Sequence, residues 1–184
     1  MKKVCIQGLG FVGAAMSIAV SIATDDNQKP LYDVIGVDLP NELGMQRINA
    51  INVGEFPFET SDKYLLASLK QVHKQGNLQA TTDPSVYSGA DIVVIDVQLD
   101  ISYLDEQPLL ELDDFKNSIQ VIGKYVQPGA LIMVETTVPP GTCEKVVVPA
   151  LHSELFKRGI DPNTVFVAHS FERVMPGGSY LKSI

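Results

Sequence analysis

Two kinds of hydrophobic pattern take turns along this chain. Short runs that are apolar throughout suit strands buried on both faces. Longer stretches in which apolar residues return every three or four positions suit helices lying on a sheet. The runs at 3–8, 33–38, 92–95 and 130–134 read as strands, with weaker ones at 78–82 and 165–167. Between the first two, Phe11 to Thr24 carries no charged side chain, as a helix packed deep against a sheet should. A short helix is expected over 41–50, followed by a shaped loop over 52–59. Leu65, Leu66, Leu69 and Val72 then make one apolar stripe, with Ser61 as its N-cap and Gly76 as its stop. Asp83-Pro84 opens a turn or short helix. Leu112, Phe115, Ile119 and Ile122 place a helix over 111–126, ended by Pro128-Gly129. Thr142 starts a further helix over 143–158, closed by Gly159, and Pro149 should kink or split it.

Strand and helix alternate throughout, with no repeat or linker. That order predicts an α/β fold: a doubly wound parallel sheet of about six strands, helices on both faces. The matching strand order is 3-2-1-4-5-6, with a ligand at the carboxyl ends where the order reverses.

The first strand runs into Gly8-Leu9-Gly10-Phe11-Val12-Gly13, a G-x-G-x-x-G turn that opens a helix. Gly8 allows the tight turn. Gly10 lets the backbone approach a pyrophosphate, and Gly13 lets the helix pack on the strand. The helix start, with Phe11 and Val12, aims free N–H groups and a positive dipole end at the phosphates. The second strand ends at Asp38, an acid that can accept hydrogen bonds from an adenosine ribose and repel a 2′-phosphate, which favours NAD over NADP. The polar stretch from Asp25 to Pro30 makes the gap to Asp38 longer than usual. A secretory signal competes for the same residues, because Lys2-Lys3 precedes an apolar stretch and Ser21-Ile22-Ala23 resembles a cleavage site. Three glycines and Gln7 make a poor signal core, and cleavage would remove the first strand of the pattern.

The 184 residues carry 45% hydrophobic and 20% charged side chains, enough for one globular core. A net charge of −8 argues against nucleic acid as a partner, and no later segment is apolar for long enough to span a bilayer. Cys5 reads as a small buried apolar residue. Cys143, at a helix start, could have a lowered pKa. The two cysteines and three histidines, His73, His152 and His169, form no zinc pattern and no disulfide framework, so the cytoplasm is the expected compartment.

Three further stretches narrow the chemistry. They are Ile51-Asn52-Val53-Gly54-Glu55-Phe56-Pro57-Phe58-Glu59, Val134-Glu135-Thr136-Thr137-Val138-Pro139-Pro140-Gly141-Thr142 and His169-Ser170-Phe171-Glu172-Arg173-Val174-Met175-Pro176-Gly177. With the glycine turn, they resemble the UDP-glucose/GDP-mannose dehydrogenase family of NAD-dependent nucleotide-sugar 6-dehydrogenases. The resemblance implies a Rossmann-type domain and a four-electron oxidation of a sugar C6 alcohol to a carboxylate with two NAD, through a thioester on a cysteine. It implies that Thr137 lies beside the nicotinamide and the catalytic water. It gives Glu172 acid–base work and a part in thioester hydrolysis. Val97 is carried over as a cofactor contact, and Arg173 to Gly177 resembles the members acting on UDP-N-acetylhexosamines or related uronates. Members of the family oligomerise.

Read alone, Thr137 has the lesser alternative of a turn-stabilising threonine, and Glu172 that of a solvated acid paired with Arg173. There are departures from the family pattern. Val97-Gln98-Leu99-Asp100 replaces Val-x-Thr-Pro, and Phe171 replaces a proline. Family members continue into a central helix and a second sugar-nucleotide domain, which holds the lysine, asparagine and nucleophilic cysteine. Residues 1–184 therefore correspond to the NAD-binding domain, and Cys143 is not expected to be the nucleophile. A stand-alone NAD-binding module and another Rossmann enzyme, such as a hydroxyacid dehydrogenase, are the other readings. A methyltransferase is disfavoured by the three-glycine turn.

Overall fold

The structure, a computed structural model, describes residues 1–99, 101–104, 107–175 and 177–184, with only the backbone described at 101–104 and 107–110. Asp100 and Pro176, each part of a stretch singled out above, lie outside the described residues.

In chain order the elements are β1 (Lys2–Gln7), α1 (Phe11–Ser21), β2 (Tyr32–Val37), α2 (Glu42–Asn52), α3 (Lys63–Gln75), β3 (Leu78–Thr81) and β4 (Ile92–Ile95). Then come β5 (Ile101–Leu104), β6 (Gln107–Leu110), α4 (Asp113–Gly123), β7 (Leu131–Val134), α5 (Val148–Lys157) and β8 (Phe166–His169). Six strands form one sheet in the order β3-β2-β1-β4-β7-β8, and every pairing in it is parallel. With the separate antiparallel pair β5–β6 set aside, this is the 3-2-1-4-5-6 order expected from the pattern.

Both faces of the sheet are covered. On one, α1 and α3 bury Ala14, Ile18, Leu65, Leu69 and Val72. On the other, α4 and α5 bury Phe115, Ile119, Ile122, Leu151 and Leu155. Small residues let α1 lie close to the strands, and its buried Ser17 and Ser21 stay satisfied by donating back to the carbonyls of Gly13 (2.7 Å) and Ser17 (2.6 Å). Cys5 is fully buried in the core, as expected, and burial pushes its thiol up to about 12. No helix among the described residues is long and apolar enough to cross a membrane.

The structure corrects the local reading at several points. Helix α3 is capped by Asp62, not Ser61. Asp62 Oδ1 accepts from the N–H groups of Tyr64 (2.8 Å) and Leu65 (3.0 Å), and Oδ2 accepts from Leu181 N–H (2.8 Å). A carboxylate can satisfy a helix start and a second chain segment at once, which a serine hydroxyl cannot. The helix expected over 143–158 begins as a π-helical turn, Cys143–Val147, and becomes α-helical at Val148. Pro149 lacks an N–H and crowds the turn before it, and the wider turn accommodates this without a sharp break. Thr142 does not cap: its backbone is helical and its side chain makes no capping bond. The pair β5–β6 lies where no element was expected, because Pro108 in β6 weakens a strand pattern.

Asp62→Ala should lower stability by about 1–2 kcal/mol, the range for losing an N-cap. It should also loosen the segment around Tyr180 and Leu181. Thermal unfolding and amide exchange at Leu181 measure the two effects. Unchanged exchange there would mean that Asp62 does not hold the chain end.

Candidate functional site

The glycine turn is built by close approach to the end of β4. Gly8 has a φ of +93°, and a Cβ on it would lie 2.7 Å from the Asp96 carbonyl oxygen. A Cβ on Gly13 would lie 1.9 Å from the Gly8 carbonyl oxygen, so helix and strand touch backbone to backbone. Gly10 differs: a Cβ there meets nothing within 4 Å. Two of the glycines therefore hold the turn together, and the third leaves open the space in front of it. The intervening Leu9 is fully buried. It fits because Gly36 in β2 has no side chain, where a Cβ would lie 2.6 Å from Leu9 Cδ2.

In front of Gly10 lies a cleft of about 320 Å³. Its lining comes from Gly10, Phe11 and Val12 at the start of α1, Asp96 to Leu99 after β4, Glu135 to Thr137 after β7, and Glu172 after β8. Gly10 is the N-cap of α1 and offers no side-chain acceptor, and no acid stands in the first turn. The first N–H groups of the helix have no intrahelical partner, so this end favours an anion.

Asp38 stands at the tip of β2, 8% exposed. Its Oδ2 accepts from Leu9 N–H (3.3 Å) and its Oδ1 from Leu39 N–H (2.8 Å). Arg47, from α2, lies 3.3 Å from Oδ2 and 5.6 Å from the centre of the Phe58 ring. The acid is thus fastened to the turn, and a cation stands beside it that the sequence pattern did not suggest.

The two threonines after β7 have different duties. The buried Thr136 hydroxyl reaches back to the carbonyls of Ile95 (3.2 Å) and Val97 (2.9 Å). It ties the β7 loop to the β4 loop, so the turn-stabilising threonine is Thr136. Thr137 is exposed and lines the cleft, and its hydroxyl makes no hydrogen bond among the described residues. Val97 lines the same wall.

Three carboxyl groups share this wall. Glu172 accepts from Val174 N–H and makes no ion pair with Arg173, which lies 5.2 Å from the centre of the Phe171 ring. Asp96 Oδ2 and Glu135 Oε2 are buried without a hydrogen-bond partner. Burial, then Glu135 and Glu172, push the Asp96 carboxyl up to about 7. Burial and Glu172 raise Glu135 as well. The three are not arranged to hold a metal ion; no such group occurs among the described residues. Asp96 had a legible signal, an acid at the tip of a central parallel strand, as with Asp38. Glu135 and Thr136 stand inside a motif whose weight fell on Thr137.

Phe11 is held from behind by aromatic rings. Tyr180 stacks on it at 4.6 Å and 14°, Phe58 meets it edge-on at 5.5 Å, and the Tyr180 hydroxyl donates to the Phe11 carbonyl. Part of the shaped 52–59 loop and the chain end thus brace the start of α1. Cys143 is outside the cleft lining, and burial raises its thiol pKa, so the lowered value expected from the helix start is not found. The wider π turn there also presents a weaker helix start than a regular α-turn.

This sheet order, a glycine turn at its switch point and an acid on the neighbouring strand define a dinucleotide-binding domain. A family model described as "UDP-glucose/GDP-mannose dehydrogenase family, NAD binding domain" matches residues 2–182, and the chain belongs to that family. It is 31% identical over 183 residues to a UDP-N-acetyl-D-mannosamine dehydrogenase of Methanocaldococcus jannaschii, covering 100% of this chain and 37% of that protein. The fold matches that of an NDP-N-acetyl-D-galactosaminuronic acid dehydrogenase from Methanosarcina mazei with a TM-score of 0.85 at 28% identity, over 99% of this chain and 36% of the other. It also matches a GDP-mannose dehydrogenase from Pseudomonas aeruginosa with a TM-score of 0.79 at 26% identity, over 97% and 38%. The chain therefore spans well under half the length of these relatives, and the part of the family it matches is the NAD-binding domain.

The glycines should separate by experiment. Gly10→Val fills open space and should leave the fold intact while abolishing NAD binding. Gly13→Val drives a side chain into backbone and should cost about 3 kcal/mol or more of stability. Circular dichroism with calorimetry distinguishes them. Normal NAD binding by Gly10→Val would show that the phosphates lie elsewhere.

Proposed function

We propose that this chain supplies the cofactor half of a nucleotide-sugar 6-dehydrogenase, oxidising the C6 alcohol of a UDP-N-acetylhexosamine to the carboxylate with two NAD. The observation that carries the proposal is the cleft itself, which sets the open face of Gly10 against Thr137 and Glu172. The names of the relatives favour the N-acetylhexosamine class.

The chain's residues fit the cofactor in two halves. The first half of the sheet takes the adenosine, with Asp38 accepting from its ribose hydroxyls. Gly8, Gly10 and the N–H groups of Phe11, Val12 and Gly13 would hold the pyrophosphate. The second half takes the nicotinamide nucleoside, against Val97 and Thr137. NAD held there would supply the hydride acceptor for the sugar carbon. Glu172 moves protons at the substrate oxygen and at the attacking water, with its carboxylate held in place by Val174 N–H. The Thr137 hydroxyl, which has no hydrogen-bond partner among the described residues, would position that water.

Asp38 decides between the cofactors. A 2′-phosphate would meet its charge, only partly offset by Arg47 at 3.3 Å. Calorimetry on the chain should show NAD bound more tightly than NADP. Asp38→Ala should raise NADP affinity about tenfold, because the freed Arg47 can then face the phosphate. NADP bound as tightly as NAD by the wild type would contradict the assignment.

The 184 residues are expected to bind NAD without forming NADH from UDP-glucose or UDP-N-acetylhexosamines. Joined to the second domain, they should turn over. In that longer enzyme Glu172→Gln should slow product release about 100-fold, and Cys143→Ser should leave the rate unchanged. Steady NADH formation by the 184 residues, lost in Cys143→Ser, would reverse the assignment of the nucleophile.

A further inference from the structure

The least explained feature of the cleft is its pair of unpartnered carboxyls. Glu135 is only 9% exposed and lines the cleft, and its side chain makes no hydrogen bond or ion pair with any described residue. Asp96, on the neighbouring strand end, is in the same position, with Oδ2 buried and unanswered. Buried carboxyls are normally paired, because leaving them bare costs free energy. Among the described residues, the elements around them bring no cation. The glycine turn from Gly8 to Gly13 has no titratable side chain. The loop after β8 adds Glu172, and Tyr180 lies nearby, its hydroxyl pKa raised by burial, by Glu172 and by Asp96. The ion pairs among the described residues, Arg47–Asp38 and Lys157–Glu154, lie outside this wall.

We propose that Asp96 and Glu135 form a charge-selective seat for the nicotinamide ring, which makes this domain hold the oxidised cofactor more tightly than the reduced one. This rests on NAD occupying the cleft as proposed above. The sheet order puts the nicotinamide nucleoside on the β4–β7–β8 half, where both carboxyls stand. The oxidised ring is a cation and the reduced ring is neutral. The two forms share the adenosine, pyrophosphate and riboses, so those contacts cancel in the comparison. What remains is the attraction between a cationic ring and carboxylates that otherwise have no partner. In a reaction that uses two NAD in turn, such a seat would help the first NADH to leave.

The seat is also pH-dependent, with a definite sign. Asp96, pushed up to about 7, is mostly charged at pH 8 and mostly neutral at pH 6. Glu135 is raised in the same direction. Lowering the pH through this window neutralises the seat and should weaken the oxidised form selectively. Binding the cation should release protons near pH 7, and binding the reduced form should release fewer.

The test is calorimetry on the whole chain with NAD and with NADH at pH 8 and pH 6, in two buffers of different ionisation enthalpy to count protons. NAD should bind about tenfold more tightly than NADH at pH 8, one pKa unit of differential interaction. The ratio should fall towards one at pH 6. The isosteric Asp96→Asn and Glu135→Gln variants should each reduce the ratio at pH 8, and circular dichroism establishes that they fold. If either variant fails to fold, the wild-type pH dependence still decides the matter. NADH bound as tightly as NAD at pH 8, or a ratio indifferent to pH, would overturn the charge-selective seat while leaving NAD binding intact. Failure of both forms to bind would instead overturn the cofactor assignment and the seat with it.

Discussion

The contact between the glycine turn and the end of β4 is the constraint on which the site depends. Gly8 sits against the Asp96 carbonyl, and Gly13 sits against the Gly8 carbonyl, both at distances that exclude a Cβ. Three backbone segments therefore meet where the strand order reverses. The approach leaves room on one side only, over Gly10, and the cleft opens there. Because the contact fixes the backbone of Asp96, it also fixes where that side chain stands, against Glu135 on the next strand end. The geometry that makes a phosphate turn thus places an acid on the other half of the site as a by-product.

Support for this contact comes from far along the chain. Thr136 ties the loop after β7 to the loop after β4. Tyr180 stacks behind Phe11, and the next residue, Leu181, donates to Asp62, which also caps α3. The start of α1 is therefore braced by residues 169 positions away in sequence. A braced turn holds its N–H groups in place before any ligand arrives, which reduces the ordering that binding must supply.

Periodicity made the sheet legible. Continuous apolar runs such as Ile92-Val93-Val94-Ile95 can only be strands buried on both faces, and the helices between them carry clear stripes. The glycine spacing and Asp38 were legible for the same local reason. What escaped the sequence were properties that depend on distant partners. Asp62 rather than Ser61 caps α3 because Leu181 also needs an acceptor there. Thr136 and Thr137 look interchangeable in sequence, and only the position of the β4 loop separates the tie from the free hydroxyl. The β5–β6 pair was hidden by Pro108, which strands tolerate at an edge. The isolation of Asp96 and Glu135 could not be read from sequence, because a carboxyl's lack of partners is a property of everything around it.

The net charge of −8 and an anionic cofactor are reconciled by this division of the cleft. In the proposed binding mode the pyrophosphate would meet a helix start with no acid in its first turn, where N–H groups and the dipole outweigh the distant field of the surface. In the same binding mode the acids would face the parts of the cofactor that offer donors or positive charge: Asp38 the ribose hydroxyls, Asp96 and Glu135 the ring. In that proposed arrangement both ends of the cofactor would face acids, and its middle, the pyrophosphate, would face the positive helix start. A ligand with the same pyrophosphate but a neutral or anionic group in place of the ring would satisfy the turn and leave the carboxyl wall bare. On that proposal the turn would supply affinity for a whole class of dinucleotides, and the wall would discriminate within that class.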